Sequence, residues 1–319
     1  MTDQQQCQEP GSSSPTGPRP ALCFGEVLWD VLPNGPHLGG APLNVAWHIA
    51  RHSVPVAIVS AVGNDELGQR ATKAISSGGV DVSLLHTLSD LATGTVDVQL
   101  DPDGDASYHF PPDVAWDHIP FDSCLAHAAG SASALIYGSL AMRHRANRET
   151  LEKTLDQLPH DALTVMDINL RPPFRDRTAI LQLAKRAGML KLNLAELEFL
   201  LDGTVAKDCA DQPETFARLH QLTGCEAFCL TLGERGAVWW QSDAPDSTTH
   251  HPGHIGLYPL VNTIGAGDSF LASLVCSLLR KGGVDEAALD HAARVAAYVT
   301  STAPATPDYD PAHLPPPNS

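Results

Sequence analysis

Positive charge is scarce in this chain. Its 319 residues carry 20 Lys and Arg against 37 Asp and Glu, a net charge of −17. That argues against nucleic acid or an anionic membrane as the main partner, since both are held by clustered basic side chains. An anionic cofactor is not excluded, because screening over roughly 8 Å leaves the local field in charge. Long apolar runs are missing as well: none reaches the 18 or so residues a membrane helix needs. The first 20 residues, rich in Gln, Ser and Pro, lack the apolar core of a signal peptide and read as a disordered tail. Residues 311–319 read as a second, Pro-rich tail. No C-x-x-C pair occurs among the seven scattered cysteines, and Cys225 and Cys229 have no histidine at metal-site spacing. Buried free thiols in a reducing compartment follow, and with them a cytoplasmic location. There is no internal repeat. What is present is apolar material, 43% against 18% charged, enough for a substantial core.

That apolar material falls into an alternation. Ala21 to Leu28 is apolar enough for a buried first strand, and Val56 to Val62 for a second. Helical spacing follows each, through Val45, Ala46 and Ile49 and again from Asp65 to Ser77. From about residue 130 strands and helices alternate: strands at 134–137, 163–168, 189–192, 227–232 and 236–241, with helices at 145–158, 178–187, 194–201 and 212–223. Such a rhythm predicts an α/β fold, a mainly parallel sheet flanked by helices. Thr93 to Leu100 alternates differently, turns at Asp101–Gly104 and returns through Ser107 to Phe110. That is an antiparallel hairpin with one wet face. The stretch 242–256 reads as a loop and 285–300 as a last helix.

The richest stretch runs from Asn262 to Phe270, N-T-I-G-A-G-D-S-F. Phe270, Leu271, Leu274, Val275, Leu278 and Leu279 recur at helical spacing beyond it, and Arg280-Lys281-Gly282 closes the segment as a helix stop. Gly265, Ala266 and Gly267 thus sit where a helix begins, with amides that lack intrahelical partners and a dipole that favours anions. Asp268 lies in the first turn. It either complements that dipole or acts as the base beside a transferring phosphoryl group, and the stretch alone leaves both open.

Other marked groups are Asp30, Gly39-Gly40 with Asn44, Asp167-x-Asn169-x-Arg171, Asn193-x-x-Glu196 and Thr231-x-Gly233-x-x-Gly236. Nearly all fall at or just past the C-terminal end of an expected strand, where open α/β sheets bind ligands. Asp30 can accept from two neighbouring hydroxyls and Asn44 can donate and accept, although a solvated turn and a helix cap are their plain alternatives. Arg171 can clamp a phosphate or carboxylate, or form a surface ion pair. Tyr108 and Phe110 on the hairpin are either sugar contacts or hairpin core.

Taken in this order and spacing, these motifs resemble the ribokinase-like, phosphofructokinase-B type sugar kinases from about residue 21 to about 310. Gly25-Glu26…Asp30, Gly39 to Asn44, Asp167…Arg171 and Asp113 to Asp117 are similar to the fructokinase branch. The resemblance implies a doubly wound domain with a small β-sheet lid, here from about 31–39 and 93–110, closing on the sugar. It implies ATP and Mg²⁺, with Asp268 as base and the amides of Gly265, Ala266 and Gly267 as the anion hole. Asp30, Gly40, Asn44, Tyr108, Phe110 and Arg171 would bind sugar. Asn193, Glu196, Thr231, Gly233, Gly236 and Asn262 would lie on the nucleotide side, with Glu196 holding magnesium through water.

Two departures bear on function. The resemblance implies an aspartate and a bound potassium ion where this chain has Asn262; the lost charge is worth up to a few kcal/mol at about 4 Å and an effective dielectric near 20, so potassium activation is expected to be weak. On the adenine side the last helix offers His291 and Arg294 in place of an asparagine. The reaction expected is phosphorylation of the 6-hydroxyl of D-fructose by ATP. A 2-keto-3-deoxygluconate kinase and a non-catalytic sugar or nucleotide sensor are the alternatives, and an open lid edge suggests a homodimer.

Overall fold

A computed structural model describes residues 18–32, 35–100, 106–203 and 211–316, with side chains omitted for residue 32 and for 97–109. The chain enters the sheet at its middle. β1 (Ala21–Phe24) pairs in parallel with β4 (Val56–Gly63) on one side and β8 (Ala134–Gly138) on the other. β5 (Leu85–Leu88) extends one edge, and β9 (Leu163–Asp167), β10 (Met189–Asn193) and β11 (Ala227–Thr231) extend the other, all parallel. β12 (Ala237–Gln241) and β13 (Thr249–His251) finish that edge antiparallel.

Alternation along β1 explains why both faces are covered. Leu22 and Phe24 point into one apolar layer and Ala21 and Cys23 into the other, all four at 0% exposure. The first layer is built with α4 (Arg145–Gln157), α5 (Arg177–Ala184), α6 (Leu194–Leu200) and α7 (Pro213–Thr223). The second uses α1 (Ala41–Arg51), α2 (Glu66–Ser77), α8 (Ala266–Lys281) and α9 (Glu286–Val299). Strands buried on both faces are what a parallel sheet demands.

A second sheet of four strands stands apart, in the order β3 (Gly35–Gly39), β2 (Leu28–Leu32), β6 (Gly94–Leu100), β7 (Ala106–His109). Here the expected single strand over 21–28 is corrected. Gly25, at φ 148°, lies against Pro42, and the chain leaves the large sheet there, so that Leu28 onward pairs with β3 and β6. The small sheet therefore begins at Leu28 rather than at residue 31. β6 and β7 pair antiparallel as expected, while the turn at 101–104 and the side chain of Tyr108 lie outside the described residues. Among the described residues, the strands β5 and β13 and the α-helix α3 (Ser123–Ala129) had no counterpart in the sequence reading.

After α9 the chain runs irregularly but packs on α1. Trp47 Nε1 donates to the Pro307 carbonyl at 2.9 Å, buried His48 meets the Tyr309 hydroxyl at 2.8 Å, and Arg51 pairs with Asp308. Cys23, Cys225, Cys229 and Cys276 are buried thiols, as expected. Among the described residues no helix is long and apolar enough to cross a membrane.

Candidate active site

Strand order reverses at β1, where the chain first builds outward through β4 and later through β8. Beyond the C-terminal ends of β1, β8 and β9, beneath the small sheet, lies a cleft of about 300 Å³. It gathers Asp30 from β2, Gly40 and Asn44 from the start of α1, Phe110 after β7, Arg171 after β9, and Gly265, Gly267 and Asp268 from the tip of α8. Residues from opposite ends of the sequence thus share one wall.

The tip of α8 is built as the sequence suggests. Gly265 is its N-cap in the left-handed region (φ 78°), and a Cβ there would lie 2.9 Å from the Ala305 carbonyl oxygen. Ala266 spends its own N–H on the Thr263 carbonyl at 3.3 Å, so the donors left in the first turn are those of Gly267 and Asp268. Ala266 is not among the residues that line the cleft. Its part in the expected anion hole is to shape the turn. Asp268 is held from across the cleft, where Asn44 Nδ2 donates to Oδ2 at 2.8 Å, while Asn44 Oδ1 has no partner. Dehydration of the Asp268 carboxyl, seconded by Asp167, pushes its pKa up to about 6, against the pull of Lys191, Asn44 and Arg171.

Three side chains lining the cleft, Lys191, Glu26 and Asn169, were given no role in the sequence reading. Lys191 on β10, 7% exposed, donates to both Asp167 oxygens at 3.0 and 3.1 Å. A Cβ on Gly267 would lie 2.9 Å from its Nζ, so the ammonium sits directly behind the tip of α8. Burial opposes its charge, yet Asp167, Glu196 and Asp268 hold its pKa above the usual lysine range. Glu26, 3% exposed, lines the same cleft, and burial raises it to about 7. Asn169 also lines it, in a left-handed conformation (φ 43°). The D-x-N-x-R spacing marked Asp167 and Asn169, but a lysine two residues before an N-x-x-E carries no signal until the sheet sets it beside Asp167. For Glu26 the signal was its place just past β1.

The nucleotide-side candidates lie outside the cleft itself and have structural work in hand. Asn193 caps α6, accepting from Glu196 N at 3.0 Å, and Glu196 returns the bond to Asn193 N at 2.8 Å. The other Glu196 oxygen accepts from Leu170 N at 2.9 Å, and burial together with Asp167 raises its pKa. Two buried carboxylates that repel one another, each with lone pairs to spare, suit a divalent cation that keeps its waters. Thr231 Oγ1 donates to the Leu192 carbonyl at 3.4 Å. Gly233, exposed at φ 59°, and Gly236 shape the turn into β12, where a Cβ on Gly236 would lie 1.8 Å from the His251 carbonyl oxygen. His291 faces His52 with ring centroids 5.3 Å apart, and Arg294 donates to Asp290. The Asp113–Asp117 motif braces the fold: Asp117, 1% exposed, is clamped by Arg143, whose guanidinium lies over Trp116.

Asn262 is fully engaged. Its Nδ2 donates to the carbonyls of Thr302 and Ala303 at 3.0 and 3.1 Å, and its Oδ1 accepts from Ile264 N at 2.9 Å. The Asn262 amide thus engages two backbone carbonyls, and no carboxylate stands at this position to attract a cation.

A helix tip offering amides to an anion, with a carboxylate of raised pKa beside it under a crevice, defines a phosphoryl-transferring kinase of the doubly wound class. Residues 28–310 match the model of the pfkB family carbohydrate kinases, and the chain belongs to that family. It is an ATP-dependent carbohydrate kinase. It is 28% identical over 297 residues to probable fructokinase-4 of Arabidopsis thaliana, covering 86% of this chain and 87% of that protein. Two solved structures share the fold. One is a fructokinase with bound ATP from Xylella fastidiosa (TM-score 0.77, 20% identity, 90% of this chain and 94% of that one). The other is a fructokinase double mutant from Vibrio cholerae O395 in a fructose, ADP and potassium ion bound form (TM-score 0.74, 23% identity, again 90% and 94%).

Proposed function

We propose that this sugar kinase is a fructokinase, moving the γ-phosphoryl group of ATP to the 6-hydroxyl of D-fructose with Asp268 as general base. The observation that carries the reading is the bond between Asn44 and Asp268. It ties the residue expected on the sugar to the carboxylate beside the helix tip, in one cleft with Asp30 and Arg171. The fructokinase name of the Arabidopsis relative supports the choice of sugar.

Asn44 fixes Oδ2 of Asp268, leaving Oδ1 to take the proton of the attacking hydroxyl. A carboxylate near 6 is still ionised at pH 7 and is a stronger base than an ordinary aspartate. The hydroxyl then attacks the γ-phosphorus in line while the Gly267 and Asp268 amides receive charge on the phosphoryl oxygens, with Lys191 adding positive field from behind. Asp30 and Arg171 orient the sugar, and Phe110 offers it an apolar wall. The small sheet acts as the lid that keeps water out. Magnesium, when bound, neutralises polyphosphate charge; Glu196, with Asp167 beside it, would hold it through water. Activation by potassium is expected to be weak because Asn262 carries no charge, and the enzyme is expected to work in the cytoplasm. The open edges of the small sheet, β3 and β7, are where a homodimer would join.

Arg171 in the cleft favours a second reading, a 2-keto-3-deoxygluconate kinase that sets this guanidinium against the acid's carboxylate. Coupled measurement of ATP consumption with D-fructose, D-ribose and 2-keto-3-deoxygluconate separates the two. Fructose is expected to give the highest kcat/KM, and a preference for the acid would refute the assignment.

A further inference from the structure

The sugar end of the cleft holds more acid than its expected ligands account for. Glu26 follows Gly25 at the point where the chain leaves the large sheet for the small one, and Gly40 presses on it closely: a Cβ there would lie 2.3 Å from the Glu26 carbonyl oxygen. The two backbones approach so closely there that only glycine fits at residue 40. Glu26 Oε2 is buried, has no hydrogen-bond partner, and belongs to a residue lining the cleft. Asn44 Oδ1, in the same cleft, is likewise unpartnered. Buried acceptors without donors are costly, on the order of 1–3 kcal/mol each, and are kept where a ligand supplies the donor.

The charges facing Glu26 can be named. Asp268 at the tip of α8 repels it and Arg171 after β9 attracts it, while the Ala41 N–H at the start of α1 donates to it. Asp30 on β2 and Lys191 on β10 line the same space, the latter already bound to Asp167. Around the sugar position three carboxyl groups therefore face one guanidinium, that of Arg171, whose Nη1 donates to the Leu170 carbonyl at 3.2 Å. A sugar brings hydroxyl hydrogens, which suit that surplus of acceptors; a sugar acid brings a further negative charge, which does not.

We propose that Glu26 binds the sugar and selects its class: Oε2 accepts a hydroxyl hydrogen from a neutral sugar, and the carboxyl group disfavours substrates that carry their own carboxylate. The proposal rests on reading the cleft as the sugar site. It does not depend on which neutral sugar is the substrate.

The full chain and a Glu26→Gln variant are assayed on D-fructose, D-ribose and 2-keto-3-deoxygluconate. The substitution is expected to raise KM for the neutral sugar roughly tenfold or more, the ordinary loss on removing a charged acceptor, with a smaller fall in kcat. KM for ATP should stay within about twofold of the wild-type value, and the preference for neutral sugar over acid should narrow. An unchanged sugar KM in the folded variant overturns the proposal, as does a wild type that prefers the acid. A wild type that phosphorylates ribose and not fructose refutes the fructokinase reading alone, and the variant is then scored on ribose. Should Glu26→Gln fail to fold, the wild-type KM decides: it should fall between pH 6 and pH 8 as Glu26, pushed up to about 7, loses its proton. A KM that stays flat over that range overturns the proposal.

Discussion

The cleft and the nucleotide-side residues beyond it are built by different means, and we read the two as the sugar and nucleotide ends of the site. At the sugar end the work falls to side chains: Glu26, Asp30 and Asp268 carry pKa values raised to about 7, 6 and 6 by burial, balanced by Arg171. At the phosphate and nucleotide end it falls to backbone: the amides of the α8 tip, the left-handed Gly265 and the Gly233–Gly236 turn packed on β13. Its side chains, Asn193, Glu196 and Asn262, spend hydrogen bonds on holding that backbone in shape. The difference teaches what a substitution should do in each place. At the sugar end it should alter chemistry and leave the fold; at the nucleotide end it should alter the fold first.

The largest effect should come from Asp268→Asn. Asparagine keeps the shape and cannot accept a proton, so kcat is expected to fall by about 10²–10⁴ while the melting temperature hardly moves. Retention of more than a tenth of the wild-type kcat would place the base elsewhere. At the other end, Gly236→Ala should behave in the opposite way. Its Cβ would meet the His251 carbonyl oxygen at 1.8 Å with φ at 85°, and strain of that kind costs of the order of 1–3 kcal/mol or more. The melting temperature should drop while KM for the sugar is kept; an unmoved melting temperature would break the contrast.

A pH profile probes the sugar end alone. Below about 6 Asp268 is protonated and no longer basic enough to take the hydroxyl proton, so kcat should decline toward tenfold per unit as pH falls through that value. An ordinary aspartate would shift the bend about two units lower, to 3.8. A kcat still level at pH 5 would mean that burial does not govern this carboxylate.

These outcomes bear on what a sequence can disclose. The α8 tip was legible because glycine, a dipole-facing carboxylate and an amphipathic run are local signals. The G-G-A-P-L-N start of α1 was legible for the same reason. The break after Phe24 was not: apart from Gly25 and Glu26 the stretch Ala21 to Leu28 is apolar, and only Gly25 lodged against Pro42 sends the later residues to a different sheet. β5 and β13 are short edge strands whose pairing comes from neighbours rather than from their own pattern. Glu26 and Lys191 were missed because a buried charge declares its role only through partners, and theirs lie on other strands and helices. Gly236 was marked for the nucleotide, while its closest neighbours are the backbone of His251 and Gly253.

The smallest effect, and the sharpest test of the backbone end, concerns potassium. Asn262 Nδ2 binds the Thr302 and Ala303 carbonyls, so the amide itself supplies the positive end of the interaction that a cation would otherwise supply. Replacing potassium with choline at fixed ionic strength should change the wild-type rate by less than about twofold, since no charge pair is lost. In Asn262→Asp the two N–H donors vanish and a carboxylate faces two carbonyl oxygens. That arrangement is repulsive without a cation, so the variant should be slower in choline and recover several-fold in potassium. A several-fold potassium response in the wild type would mean that the amide yields its carbonyls in solution. Asn262 would then join the ligand-binding side chains, and the division between the two ends of the site would fail at that residue.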